Sequence, residues 1–126
     1  MIGLIFRSAI AAAMVVAAPV AQATELLMVE QAGCHYCIEW KEEIGPIYPK
    51  TEVGAYAPLS MVSLASAPPE GVQFARPVTF TPTFILLENG QELSRIEGYP
   101  GEDFFWGLLE VMLVKHTDFA KPVQTN

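Results

Sequence analysis

Basic residues are scarce in this chain of 126 residues: seven Lys plus Arg stand against fourteen Asp plus Glu, the formal net charge is -7, and no two of the basic residues are adjacent. Without a basic cluster the chain lacks the electrostatic footprint that phosphate-backbone binding needs, which makes nucleic acid a poor partner. Long apolar runs are missing too. The uncharged stretch from Ser8 to Val20 falls short of the about 20 residues that cross a bilayer, and no later segment is apolar enough to do so. Tracts of biased composition are absent, and 52% hydrophobic positions exclude a disordered or collagen-like chain. The length leaves no room for a second domain of ordinary size. Cysteine is the rarest resource, with only two residues, and histidine is as rare.

What is present begins with a leader. Met1 to Ala23 carries one cation, Arg7, an apolar run from Ala9 to Ala18, Pro19 and the small-residue pattern Ala21-Gln22-Ala23. This is the pattern of a cleavable secretory signal peptide, and it predicts a mature domain from Thr24 to Asn126. Its bacterial look predicts delivery to the periplasm, an oxidising compartment in which a cysteine pair is disulfide-bonded at least part of the time.

The mature chain alternates strand and helix signals. Glu25 to Glu30 is a short apolar run that predicts a strand buried on both faces, followed by a turn at Ala32-Gly33. Cys37, Trp40, Ile44 and Ile47 recur at spacings of three and four, which predicts an amphipathic helix from Cys34 that Gly45-Pro46 kinks or ends. Leu59 to Ala65 predicts a second strand, and the Pro-rich connection after it has room for one short helix around Gly71 to Arg76. Thr83 to Glu88 and Gln91 to Glu97 flank Asn89-Gly90, the strongest two-residue hairpin signal. Leu93 and Ile96 are three apart, which breaks strict alternation and points to a bulge or an irregular strand end. Glu102 and Asp103 precede Phe104, Phe105, Leu108, Leu109 and Met112, with Lys115 and His116 last, an order that suits the dipole of a terminal helix. Thr117 to Asn126 reads as a loose tail. The element order indicates an α/β sandwich with a mixed sheet. No large exposed apolar helix face is identifiable, so a monomer is expected.

Both cysteines sit in Cys34-His35-Tyr36-Cys37, at the junction of the first strand and first helix. The i to i+3 step puts both sulfurs on one face of the helix start, where free backbone N–H groups and the positive end of the dipole stabilise a thiolate on Cys34. Cys34 is then the nucleophile and Cys37 the resolving thiol of a dithiol-disulfide exchange. Other chemistries compete for the same residues. A zinc site needs about four ligands, and the mature chain offers Cys34, Cys37, His35 and His116. A structural disulfide closing so short a loop constrains little of the unfolded chain. A thiol-based carrier of a soft ion such as Cu(I) is a further reading, with no Met-rich loop to support it. A cationic His35 near Cys34 would favour the thiolate and make the pair more oxidising, whereas a His35 pointing to solvent is only a helix-start residue. Tyr36 reads as an exposed contact and Trp40 as core.

The order of elements, the CHYC motif after the first strand, Pro46, the turn Thr81-Pro82-Thr83 before an apolar strand, the Asn89-Gly90 hairpin and Gly98 before the last helix together resemble the thioredoxin fold over essentially the whole mature chain. That resemblance implies a three-layer sandwich with a central mixed sheet of about four strands flanked by helices. It implies that Pro82 corresponds to the family's cis-proline beside the cysteines, with the Thr81 backbone free to pair with an extended substrate segment and the Thr81 hydroxyl near the sulfurs. The sequence departs from the cytoplasmic thioredoxin pattern in three places. Gly33 replaces the tryptophan before the first cysteine, His35-Tyr36 replaces Gly-Pro, and Met28 stands for the buried acid of the first strand, leaving Glu30 as a substitute proton acceptor or a solvated strand end. More narrowly, the chain resembles the periplasmic thioredoxins of bacterial sulfur-oxidation (Sox) systems, the SoxS type. That implies a thiol-disulfide reductase needing no metal, flavin or nucleotide beyond its own disulfide. Its partners would be protein cysteines, a Sox sulfur carrier among them, and an inner-membrane electron donor.

Overall fold

The computed structural model describes residues 12–16 and 23–120. The signal-peptide reading therefore lies almost wholly outside the described residues, as does the end of the tail. The elements run β1 (Thr24–Glu30), α1 (His35–Glu43), a 3₁₀ turn (Tyr48–Lys50), α2 (Glu52–Tyr56), β2 (Leu59–Ser63), β3 (Thr83–Glu88), β4 (Gln91–Glu97) and α3 (Glu102–His116). The four strands form one mixed sheet in the order β2-β1-β3-β4, with β1 parallel to β2 and the other pairs antiparallel.

β1 and β3 are the inner strands, and their near-continuous apolar runs follow from burial on both faces. On one face Leu26, Met28, Phe84, Leu86 and Ile96 pack against Trp40 of α1, Ile44 just after it, and Phe105 and Leu109 of α3. On the other, Leu27, Val29, Ile85 and Leu87 are covered by Val62 and Leu64 and by Val72, Phe74 and Val78 from the connection between β2 and β3. That connection holds no helix around Gly71 to Arg76, contrary to the sequence expectation. Pro68, Pro69 and Pro77 withhold backbone donors and Gly71 sits at φ +78°. The backbone there bonds to the hairpin instead, with Gln73 N–H donating to Gly90 O at 2.8 Å and Glu92 N–H donating to Gln73 O at 3.1 Å.

The hairpin turns at Asn89 and Gly90, both at positive φ, and Gly90 also lies where a Cβ would be 2.0 Å from Gly71 O. The anticipated bulge is real. Leu86 pairs with Ser94 and Leu87 with Glu92, so Leu93 is the extra residue. It turns Glu92 and Arg95, three apart, onto the same face of the sheet.

Two helical expectations are corrected. α1 ends at Glu43, just ahead of Gly45-Pro46 as anticipated, but Ile47 does not share the buried face of the helix: Ile44 is buried while Ile47 is 40% exposed. In α3 the buried face is Phe105, Leu109, Met112 and Leu113, whereas Phe104 and Leu108 point outward with Val111 and Val114. The helix is apolar around a wider arc than the sheet covers, so the ground for expecting a monomer, the want of an exposed apolar helix face, does not hold. The 3₁₀ turn and α2 went unanticipated. There Thr51 caps α2, accepting from Gly54 N–H at 3.0 Å and donating to Tyr48 O at 2.7 Å. A Cβ at Gly54 would lie 1.8 Å from Tyr48 O, so glycine alone permits this packing.

Candidate functional site

β1 delivers the chain to a turn in which Cys34 N–H donates to Gln31 O at 3.3 Å and Gly33 takes φ +77°. Cys34 is the N-cap of α1, in extended conformation, and its Sγ accepts from Cys37 N–H at 3.2 Å. A sulfur in the N-cap position faces the free N–H groups and the positive end of the helix dipole, the surroundings that favour a thiolate. The pair is disulfide-bonded with Cα atoms 5.2 Å apart. Cys34 is partly exposed, while Cys37, one turn in, is only 2% exposed and belongs to the core.

Antiparallel pairing of β1 with β3 sets Val29 opposite Thr83, so the chain entering β3 arrives at the sheet end from which the cysteine turn leaves. The Thr81–Pro82 peptide bond there is cis. Pro82 is buried and its carbonyl accepts from Gly98 N–H at 2.7 Å, while Thr83 Oγ1 donates to Phe80 O at 2.7 Å. Tyr36, Phe80, Thr81, Glu97 and Gly98 line one open cleft of about 340 Å³. Of the residues singled out from sequence, Tyr36 and Thr81 are thus brought together. His35 is not among that lining. Its side chain is 83% exposed, with Nε2 3.6 Å from the Glu39 carboxylate. Phe80, 59% exposed beside Thr81-Pro82, and Glu97, paired with Arg76 at 3.0 Å, were not anticipated. An aromatic directly before the Thr-Pro-Thr turn was the available signal for Phe80.

Behind the cysteines, Met28 is fully buried in the apolar cluster, and Glu30 at the end of β1 is ion-paired with Lys41 of α1. Tyr99 donates to Glu43 at the other end of α1. Among the described residues no three His, Cys, Asp or Glu side chains converge as a metal site would require.

A family model described as a thioredoxin-like domain matches residues 11–113. The chain belongs to the thioredoxin-like family. It is 49% identical to the periplasmic thioredoxin SoxS from Paracoccus pantotrophus, whose crystal structure in the reduced form superposes with a TM-score of 0.72 over 73% of this chain and 97% of that one. Thioredoxin-2 of the malaria parasite (20% identity, TM-score 0.53, 75% of this chain and 88% of that one) shares the fold. So does Fasciola hepatica thioredoxin (15% identity, TM-score 0.53, 75% and 81%). No curated protein matches the sequence. With the cysteine pair on this fold, the thioredoxin-like chain is a thiol-disulfide oxidoreductase.

Proposed function

We propose that the chain is a periplasmic thiol-disulfide reductase of protein partners, exported by a signal peptide cleaved after Ala23, and that one partner is the sulfur-carrier protein of a Sox system. The observation that carries the reading is the asymmetric cysteine pair, with Cys34 accessible in the N-cap position and Cys37 buried one turn inside, in a chain 49% identical to a periplasmic SoxS. In the reductive half-reaction the Cys34 thiolate attacks a partner disulfide, forming a mixed disulfide and expelling one partner thiolate. Cys37 then attacks Cys34, the intramolecular disulfide forms, and the second partner thiol leaves, so two electrons pass to the partner. A membrane thiol donor returns them, and the pair itself is the only redox group needed. Thr81, ahead of buried Pro82, offers backbone to an extended partner segment, and Tyr36 and Phe80 give that segment apolar contact. The solvated position of His35 beside Glu39 supports a reductant, since such a ring exerts little pull on the sulfurs.

In an insulin-reduction assay with a thiol donor, the wild type is active and Cys34→Ser is inactive; equal activity in the two overturns the reading. Cys37→Ser, expressed in the periplasm, accumulates mixed disulfides visible on non-reducing gels, and the sulfur carrier is identified among them by mass.

A further inference from the structure

To resolve the mixed disulfide Cys37 has to act as a thiolate, yet it is 2% exposed and set in apolar surroundings, which hold a thiol protonated. Its proton therefore needs an internal route. A cavity of about 300 Å³, open to solvent, is walled by Cys37 and Lys41 of α1, Glu30 at the end of β1 and Ser63 of β2. It is roomy and polar enough to hold water. Lys41 follows Cys37 by four residues and shares its helix face. Glu30 and Lys41 are the ionisable side chains of that lining apart from Cys37 itself, and they are ion-paired. Of the other charged groups on α1, His35 is paired with Glu39 and Glu43 accepts from Tyr99, Glu42 is exposed and outside the cavity lining, and β2 contributes only Ser63 to that lining. Met28, inside the strand, is apolar and brings no acceptor.

We propose that Glu30 accepts the Cys37 proton through this cavity and that Lys41 is a positioning residue, holding the carboxylate at the cavity wall while its charge favours the thiolate. The inference rests on the redox reading above. In the step, the Cys37 S–H bond breaks and its proton passes by way of water to the Glu30 carboxylate. The sulfur electron pair forms the Cys37–Cys34 bond, the bond from Cys34 to the partner sulfur breaks, and the partner leaves as a thiolate with that electron pair. Glu30 then releases the proton to solvent at the cavity mouth, where the departing thiolate takes up a proton.

The test is stopped-flow reaction of the reduced full-length domain with dithiobis(nitrobenzoate), which releases nitrothiobenzoate twice. The first release depends on reagent concentration and reports Cys34. The second is concentration-independent and reports attack by Cys37. With Glu30→Gln the second release slows by about a hundredfold at neutral pH and its pH midpoint rises, and Glu30→Asp restores most of the rate. Lys41→Gln, at a half-exposed position, raises the midpoint of the second release. Wild-type rate and midpoint for the second release in both Glu30→Gln and Lys41→Gln overturn the inference while leaving the redox reading intact. A wild-type protein without any second release overturns the redox reading itself.

Discussion

At the scale of single residues, Tyr48 carries more of the fold than its place in the sequence suggests. Its ring is fully buried against Trp40 and stacks on Trp106 at 5.9 Å, and its hydroxyl donates to Ala57 O at 2.6 Å, tying the 3₁₀ turn to the far end of α2. Burial holds its phenol protonated well above the ordinary tyrosine range. In the unfolded chain that phenol ionises near pH ~10. Above that pH the unfolded state therefore loses a proton that the folded state keeps, and stability falls as pH rises further. Tyr48→Phe leaves the Ala57 carbonyl without its partner in the core and is expected to cost about 1–2 kcal/mol at neutral pH in urea titration. The same variant shows a shallower loss of stability above pH ~10. Nothing in the spacing of Ile47, Tyr48 and Pro49 announces this, because a lone turn has no periodicity to read. Thr51 as a cap three residues before Gly54 was the local signal available.

At the scale of elements, what was legible is what repeats. The runs of β1 and β3, the Asn-Gly hairpin and the acid-to-base order of α3 are patterns of period or of turn chemistry, and each element formed where its pattern lies. The cysteine motif was legible for the same reason, since a strand end and a helix start bracket it. Which apolar residues of α3 face the sheet was not, because Phe104 and Phe105 are equally apolar and only tertiary packing chooses between neighbouring arcs of a helix. The connection from β2 to β3 was misread for a different reason. Its side chains pack on the sheet, but its backbone partners lie in the hairpin, a long-range choice invisible to local propensity. The bulge in β4 supplies the fastening. Arg95 donates to Arg76 O at 2.8 Å and to Pro77 O at 3.3 Å, and Glu92 accepts from Ala75 N–H at 2.6 Å while pairing with Arg95. Burial works against the charge of Glu92, but Arg95 and the Ala75 amide outweigh it and hold its carboxyl below the usual range. A lowered carboxyl stabilises the fold at neutral pH and loses that contribution as pH falls below about 4.5 and through its folded value. Glu92→Gln is expected to cost about 2 kcal/mol, to speed amide hydrogen exchange at Ala75, and to weaken the acid dependence of stability.

At the scale of the whole molecule, the reduction potential compares two complete folds, one with the disulfide and one with two thiols. An exposed His35, and a dipole that acts on one sulfur only, leave the disulfide form well supported. The couple is therefore expected near −270 mV, roughly, against glutathione, and the oxidised protein is expected to resist urea better than the reduced one. A value near −120 mV, about that of a strong disulfide donor, with the reduced form the more resistant, would reverse the direction of electron flow.

The hairpin tip reaches back to the start of the sheet, where Asn89 N–H donates to Ala23 O at 2.8 Å and Ala23 N–H donates to Asn89 Oδ1 at 3.1 Å. A peptidase needs its substrate backbone extended and free, and here the residue before the proposed cut is held at both its N–H and its C=O by a turn 66 positions away. On that proposal Ala23 leaves with the leader and both bonds go with it, so the cut meets an unclasped backbone only before the hairpin has closed. The end it would leave is Thr24, which the sheet itself holds through its pairing with Glu88 of β3.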